Sequence, residues 1–428
     1  MNVNSVNRAR VFLLSGLMAL LVLSVLSTET QATNGYFRHG YGTKNKGLAG
    51  AGVALPLNTM IAVTNPAGMV FIGRRYDIGF SLFNPNREYT VKGAPSGGQG
   101  TFGLIPSNVD SDAKPFFIPA LGANWMLDEN SSVGVSLFGN GGMNTTYPSG
   151  TFFGSTPTGV DLSQIFLGVT YARKINDKHA FGITPILAFQ IFQVRGIEAF
   201  ANFSRDPADI TNKGKSTSPG FGLRFGYLGE WLPFLSVGAA FQTKIYMSKF
   251  DDYAGLFAEQ GDFDVPLNWV AGVALKATPD LTFVFDVQQI MYSDINSVGN
   301  PMNPQNFQQG ILLGDDNGSG FGWDDMTIVK FGVQWAGPGG WTWRGGYSFG
   351  DQPIPSSEVL FNILAPGVIE QHITFGFSKN VADGREVSLA IMYAPSKTVS
   401  GPNPLDPVAQ QTIDLKMNQW EIDVSLGF

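Results

Sequence analysis

The chain has 428 residues, no cysteine, 34 acidic against 27 basic side chains and a formal charge of −7. Without cysteine there is neither a disulfide staple nor a thiolate metal site, and an acidic chain lacking any basic cluster argues against nucleic-acid binding. Only 14% of residues are charged, 53 are glycine and 34 phenylalanine, and mean hydropathy is near zero, as expected when half of the strand positions face lipid and half face a lumen.

At the N-terminus Arg8 and Arg10 precede an uncharged apolar run, Val11 to Leu26, and then Thr30-Gln31-Ala32 with small residues where a signal peptidase inspects the chain. Residues 1–32 are therefore expected to be an export signal that is removed. The competing reading, a membrane anchor, is weakened because the run falls short of the roughly 20 apolar residues a spanning helix needs. No later stretch is comparably hydrophobic, so the mature chain is either soluble or crosses a membrane as strands, since only helices and closed barrels satisfy every backbone group in lipid.

Residues 33–74 do not alternate. Asn34 to Gly52 is rich in glycine and leads to Thr64-Asn65-Pro66-Ala67-Gly68-Met69. A segment so poor in core-forming side chains needs a supporting wall.

From residue 75 onward, period-two alternation bounded by aromatics and turn residues predicts fourteen strands. Their spans are 75–90, 116–127, 131–142, 161–174, 180–195, 219–230, 234–248, 266–278, 280–293, 324–336, 340–350, 370–379, 385–394 and 416–428. Leu281, Phe283, Phe285 and Val287 should face lipid, as should Val329, Phe331, Val333 and Trp335, while Lys330, Gly332 and Gln334 face inward. Short connectors, Asn176-Asp177-Lys178, Pro279-Asp280 and Ala382-Asp383-Gly384, are expected as periplasmic turns. The longer segments 91–115, 143–160, 196–218, 249–265, 294–323, 351–369 and 395–415 are expected as external loops. The fold class is thus all-β, a 14-stranded antiparallel transmembrane barrel over 75–428 with residues 33–74 as a plug; an even strand number returns both ends to the periplasmic side. A soluble β-sandwich or propeller is the competing architecture.

Along the third strand, Val133 to Phe138 alternates cleanly and then breaks at Gly139-Asn140-Gly141-Gly142. Glycines there permit a bulge or kink; the plainer alternative is a strand end with a glycine turn. The loops that follow offer Met143, Tyr147, Phe152 and Phe153, then Phe200 and Phe203, either as an apolar capture patch or as interfacial girdle residues. Inward cations that could hold a carboxylate are Arg224, Lys244, Lys276, Lys330 and Arg344, with Asp286, Glu198 or plug residues as their alternative partners. Catalysis finds little support: the three histidines, His39, His179 and His372, adjoin no nucleophile motif, which leaves an outer-membrane lipid hydrolase as a weak alternative. No cofactor or metal is expected. The last nine residues, Trp420 to Phe428, alternate without a fault and resemble the closing strand of a bacterial outer-membrane barrel, whose terminal aromatic is read by the insertion machinery.

Asn34-Gly35-Tyr36-Phe37, Tyr41-Gly42-Thr43-Lys44, Gly47-Leu48-Ala49-Gly50-Ala51-Gly52, Asn65-Pro66-Ala67-Gly68-Met69 and the strand count together resemble the FadL-type uptake channels for long-chain fatty acids and hydrocarbons of Gram-negative outer membranes. The resemblance covers essentially the whole mature chain. It implies a barrel plugged by an N-terminal hatch that carries Asn65, Pro66 and Ala67. It also implies a third strand kinked inward at residues 139–142, through whose gap apolar substrate leaves sideways into the membrane. The expected partners are then a hydrophobic small molecule, with Phe37 among the residues that touch it, together with outer-membrane lipid and lipopolysaccharide; the chain is expected to act as a monomer. A general diffusion porin would instead have an open, charge-lined lumen, whereas inward positions here include Phe138, Phe166 and Val284.

Overall fold

A computed structural model describes residues 34–381, 384–408 and 411–428. The expected export signal and its cleavage site lie outside the described residues, as do Ala382 and Asp383 of the expected turn. Among the described residues no helix is long and apolar enough to cross a membrane.

Fourteen antiparallel strands form one closed barrel. They are β1 (Arg75–Lys92), β2 (Phe116–Met126), β3 (Ser131–Asn144), β4 (Gly159–Asn176), β5 (His179–Arg195), β6 (Ser216–Leu232), β7 (Leu235–Gln242), β8 (Asn268–Lys276), β9 (Leu281–Ile290), β10 (Met326–Ala336), β11 (Trp341–Gly350), β12 (Gln371–Asn380), β13 (Glu386–Pro402) and β14 (Thr412–Gly427). Sequential neighbours pair, and β14 closes on β1 from Asp77–Gly427 to Lys92–Thr412, so no sheet edge is left unpaired along that seam. All fourteen predicted strands are present.

The alternation decides the faces. On β9 and β10, Phe285, Val329, Phe331 and Trp335 are exposed outward while Val284, Asp286 and Lys330 are buried inside. At the short-turn end the outer wall carries Trp125, Trp231, Trp335, Trp341 and Trp343. Trp125 and Trp231 donate to the hydroxyls of Tyr76 and Tyr227 at 2.9 Å, the amphipathic arrangement suited to a membrane interface.

Three spans differ from the expectation, the first being a short strand, Ser107–Asp110, that pairs with Glu88–Val91 of β1 inside the loop expected over 91–115. The strand expected over 234–248 stops at Gln242; Thr243 still donates to the Leu223 carbonyl, and Tyr246–Met247 then resume pairing with Phe221 and Gly220. The loop expected over 395–415 is mostly strand, because β13 and β14 stay paired out to Pro402–Thr412. Pro395-Ser396, the first residues of that expected loop, are absorbed as a bulge between Ala394 and Lys397, where a residue without an N–H costs the ladder nothing.

Besides the break after Gln242, the β2–β3 seam of the wall is incomplete. β3 pairs with β2 only from Ser132–Met126 to Phe138–Ala120, while its pairing with β4 runs on to Asn144–Asp161. Phe116–Pro119 of β2 pair with β1 alone. Beyond Phe138 the third strand therefore leaves its neighbour. Asn140 is the extra residue of a bulge, with Gly139 opposite Ile165 and Gly141 opposite Gln164.

Candidate functional site

Residues 34–74 form short pieces only: helices Thr43–Lys46 and Ile61–Thr64 and a 3-10 turn Pro66–Phe71. Their supports are inward side chains of the strands. Arg38 and Lys46 converge on Glu421; Lys46 also reaches Asp423 at 2.5 Å, and Asp423 accepts from Thr43. Lys44 pairs with Glu386, which Arg75 also contacts at 2.9 Å. Asp286 accepts the backbone N–H groups of Gly52 and Val53 at 2.8 and 2.9 Å, and Asp77 accepts from the backbone and hydroxyl of Thr59 at 2.9 and 2.8 Å. Each charge removed from water thus has an opposite charge or a donor, the condition under which buried ions are tolerated.

Asn65 joins this segment to the wall by side-chain chemistry that aspartate could not reproduce. Its amide donates to the carbonyls of Val53 and of Tyr227 on β6, both at 2.8 Å, while its Oδ1 caps the following turn at the Ala67 N–H. Pro66 starts that turn, where a missing N–H is harmless, and Pro66 and Ala67 lie against Gly182 of β5, where a Cβ would come within 2.4 Å of the backbone.

At the break in β3 the N-terminal segment takes over as a pairing partner. Phe37 bridges to Gly141, Gly142 donates to the Tyr36 carbonyl at 3.0 Å and Arg38 donates to the Asn140 carbonyl at 3.3 Å. Only glycine fits at 141, because a Cβ there would lie 1.7 Å from the Tyr36 oxygen. The bulged Asn140 turns inward, donates to Gln164 at 2.9 Å and accepts from Tyr41 at 2.8 Å, and Tyr41 stands edge-on to Phe138 at 5.3 Å. Gly142 and Met143 line a cavity of about 270 Å³ beside Trp323; Gly139 belongs to the same run.

A larger cavity, of about 530 Å³, opens among the long loops. Phe152, Phe200, Phe257, Leu313 and Phe361 line it from five different connections, with Val160 of β4 and Phe192 of β5, and no ionisable side chain does. Of the aromatics singled out in the sequence, Phe152 and Phe200 are brought here. Tyr147 is buried elsewhere, donating to the Ile363 carbonyl at 2.9 Å, with its hydroxyl pKa raised by burial. Phe153 and Phe203 are exposed and pack on Phe102 and Phe307.

An inner cavity of about 460 Å³ is lined by Phe37, Tyr41, Gln242, Arg224 and Lys330 among others. Ring contacts connect the two: Phe257 to Phe263 at 4.8 Å, Phe263 to Tyr36 at 6.0 Å and Tyr36 to Phe37 at 5.4 Å. The candidate cations divide accordingly. Arg224 bonds Gln242, and Lys330 donates to the His39 carbonyl at 3.0 Å while standing opposite Asp286. Arg344 donates to Gln334 and Ser378 at 2.8 and 2.7 Å, within the wall. Lys244 sits at the strand break and pairs with Asp264 at 2.9 Å, and Lys276 is exposed at the short-turn end. Glu198 accepts from Ser155 and Asn212 and pairs with none of these cations.

His39 stacks on His372 at 5.5 Å, and His372 contacts the Ser348 hydroxyl at 2.9 Å, a serine–histidine contact the sequence did not reveal. Ser348 and His372 are both fully buried and line none of the three cavities. The sequence reading also missed Glu421 and Asp423, although the alternation of the terminal strand places both on the inner face. It missed Tyr292, which it put at the end of the strand expected over 280–293 but which lies in a 3-10 turn beyond Ile290, and Trp323 of the following loop; Tyr292 accepts from the Tyr36 N–H at 3.2 Å and packs tilted against Tyr36 and edge-on against Trp323, both at 5.1 Å.

The backbone is similar to that of the toluene transporter TodX of Pseudomonas putida, with a TM-score of 0.67 at 16% identity over 91% of this chain and 98% of that one. A FadL homologue of Pseudomonas aeruginosa gives a TM-score of 0.68 at 15% identity, covering 92% and 99%, and the toluene transporter TbuX of Ralstonia pickettii gives 0.61 at 14%, covering 91% and 98%. A sequence comparison with curated proteins finds no match. Residues 23–400 match the family described as "Outer membrane protein transport protein (OMPP1/FadL/TodX)", and the chain belongs to that family of outer-membrane β-barrel transport proteins.

Proposed function

We propose that the protein is a channel for passive uptake of hydrophobic molecules, long-chain fatty acids or hydrocarbons, with no catalytic step. Residues 1–32 serve as a removed export signal, 33–74 as the hatch and 75–428 as the barrel, whose terminal Phe428 addresses it to the insertion machinery. An apolar molecule cannot cross the hydrated lipopolysaccharide layer unaided. It is captured in the loop cavity at Phe152 and Phe200, passes along Phe257, Phe263, Tyr36 and Phe37, and leaves sideways between β2 and β3 into the membrane.

The observation that carries this reading is the early end of β2–β3 pairing at Ala120–Phe138, with Phe37 of the N-terminal segment pairing the strand beyond it. A wall strand that leaves its neighbour beside an apolar route supports lateral exit. The filled interior speaks against a general diffusion porin, which needs an open polar lumen.

Gly141→Val tests the route. Valine displaces Tyr36 and favours a regular extended strand, so uptake of a radiolabelled hydrocarbon or fatty acid by cells carrying the variant is expected to fall at least tenfold. Asn65→Ala, which loosens the segment from β6, is expected to lower it as well. Uptake that survives both substitutions eliminates the lateral route.

A further inference from the structure

Resting on the lateral route as the exit, we propose that Tyr41 is the latch of that route: a molecule occupying the inner cavity turns its side chain, releases Asn140 and frees β3 beyond Phe138. Two sets of contacts meet on this residue. Toward β3, the hydroxyl donates to Asn140 Oδ1 at 2.8 Å, and the ring stands edge-on to Phe138 at 5.3 Å. Phe138 is the last residue of β3 paired with β2, and Asn140 is the extra residue of the bulge, so Tyr41 grips the strand where it leaves its neighbour. Away from β3, Tyr41 is only partly buried and lines the inner cavity with Phe37 and Arg224.

The other ties between the segment and the break run through the backbone. Gly142 donates to the Tyr36 carbonyl at 3.0 Å and Arg38 to the Asn140 carbonyl at 3.3 Å, the two bonds of the Phe37–Gly141 bridge. Tyr41 holds the bulge by a side chain, which a ligand can turn without moving the chain itself. Its backbone is fixed on both sides: Gly42 adopts a φ of 77°, and a Cβ on Gly40 would lie 2.6 Å from the Gly50 Cα. Asn140 keeps its bond to Gln164 of β4 at 2.9 Å when the phenol leaves, so release detaches β3 from the segment and leaves the β3–β4 pairing in place. One neutral hydrogen bond shifts an equilibrium about fivefold, a tie that ligand contacts can outweigh. By linkage, a ligand that must break it binds more weakly by the same factor.

Tyr41→Phe keeps the ring and removes the tie. Radiolabelled laurate and naphthalene, one from each class of proposed substrate, are bound to the mature full-length protein in lipid nanodiscs by equilibrium dialysis, with empty nanodiscs as control. Amide exchange of residues 139–144 is followed by mass spectrometry with and without saturating probe. In the unsubstituted protein the probe that binds is expected to accelerate exchange over 139–144, the reverse of the protection that simple occupancy gives. Tyr41→Phe without probe should exchange there about fivefold faster, respond little to the probe, and bind it up to about fivefold more tightly, whereas loss of a purely structural contact would weaken binding. Adding Tyr41→Phe to Asn140→Ala should change neither quantity further, because the partner is already gone. Exchange over 139–144 that the probe slows or leaves unchanged overturns the latch, as does Tyr41→Phe binding no more tightly than the unsubstituted protein; the lateral route is judged separately, by uptake in Gly141→Val. Failure of both probes to bind the unsubstituted protein overturns the uptake reading itself.

Discussion

Glu421 holds two cations of the N-terminal segment, Arg38 and Lys46, at a depth where almost no solvent reaches. Removing one member of such a group leaves charge uncompensated, so Glu421→Gln is expected to lower stability by about 3 kcal/mol, read as a lower urea midpoint for barrel unfolding in lipid vesicles. An unchanged midpoint would mean that water hydrates the cluster. Asn65→Ala removes two donated hydrogen bonds and a cap, for which about 2–3 kcal/mol is the expected loss in the same titration. The sequence placed these residues unequally. Asn-Pro at 65–66 announces a capped turn locally, and Glu421 falls on the inner face by alternation, but its bond to Arg38 spans 383 positions and has no local signature. The same holds for the cations: parity put Arg224, Lys330 and Arg344 inside, and only the fold distinguishes a wall contact such as Arg344–Ser378 from a cavity lining such as Lys330.

The strands were legible because a membrane barrel imposes one rule on every one of them, an apolar residue outward at each second position, and Phe285, Phe331 and Trp335 obey it. The expected loop over 395–415 fails for a related reason: the ladder continues on both sides of Pro395 and carries the strand through it. The loops obey no period, so the gathering of Phe152, Phe200, Phe257 and Phe361 around one cavity could not be read from spacing. They also carry a pH dependence. Asp262, half-buried between β7 and β8, has its carboxyl pushed up to about 6 by desolvation, then by the neighbouring charges of Asp264 and Glu259. Its folded pKa lies above the ordinary value of 3.8, so the folded loops hold the proton more firmly than the unfolded chain. Stability is therefore greatest at low pH and declines as pH rises from about 4 through 6. Hydrogen exchange of residues 243–267 should accelerate between pH 5 and pH 7 beyond the intrinsic base-catalysed rise, and Asp262→Asn should abolish the excess.

As a whole the molecule is a hydrogen-bonded cylinder whose inward side chains bind residues of its own N-terminal segment. β1 and β14 pair from one rim to the other, while pairing on β6 is interrupted past Gln242 of β7 and ends early at the β2–β3 seam; the ladder that closes the wall runs between strands alone, so closure does not depend on residues 34–74. The interior does depend on them: Asp77, Asp286, Glu386, Glu421 and Asp423 all take partners from that segment. If the segment is deleted, those acids turn to water, and a lumen of this strand number, too wide for side chains alone to fill, becomes an aqueous pore. Liposomes containing the intact mature protein are accordingly expected not to swell in isotonic solutions of small sugars, whereas liposomes with the chain lacking residues 34–74 should swell at rates approaching those of an open porin. Swelling by the intact protein would show that the N-terminal segment leaves a continuous polar path, and capture by an apolar route would then be unnecessary for passage.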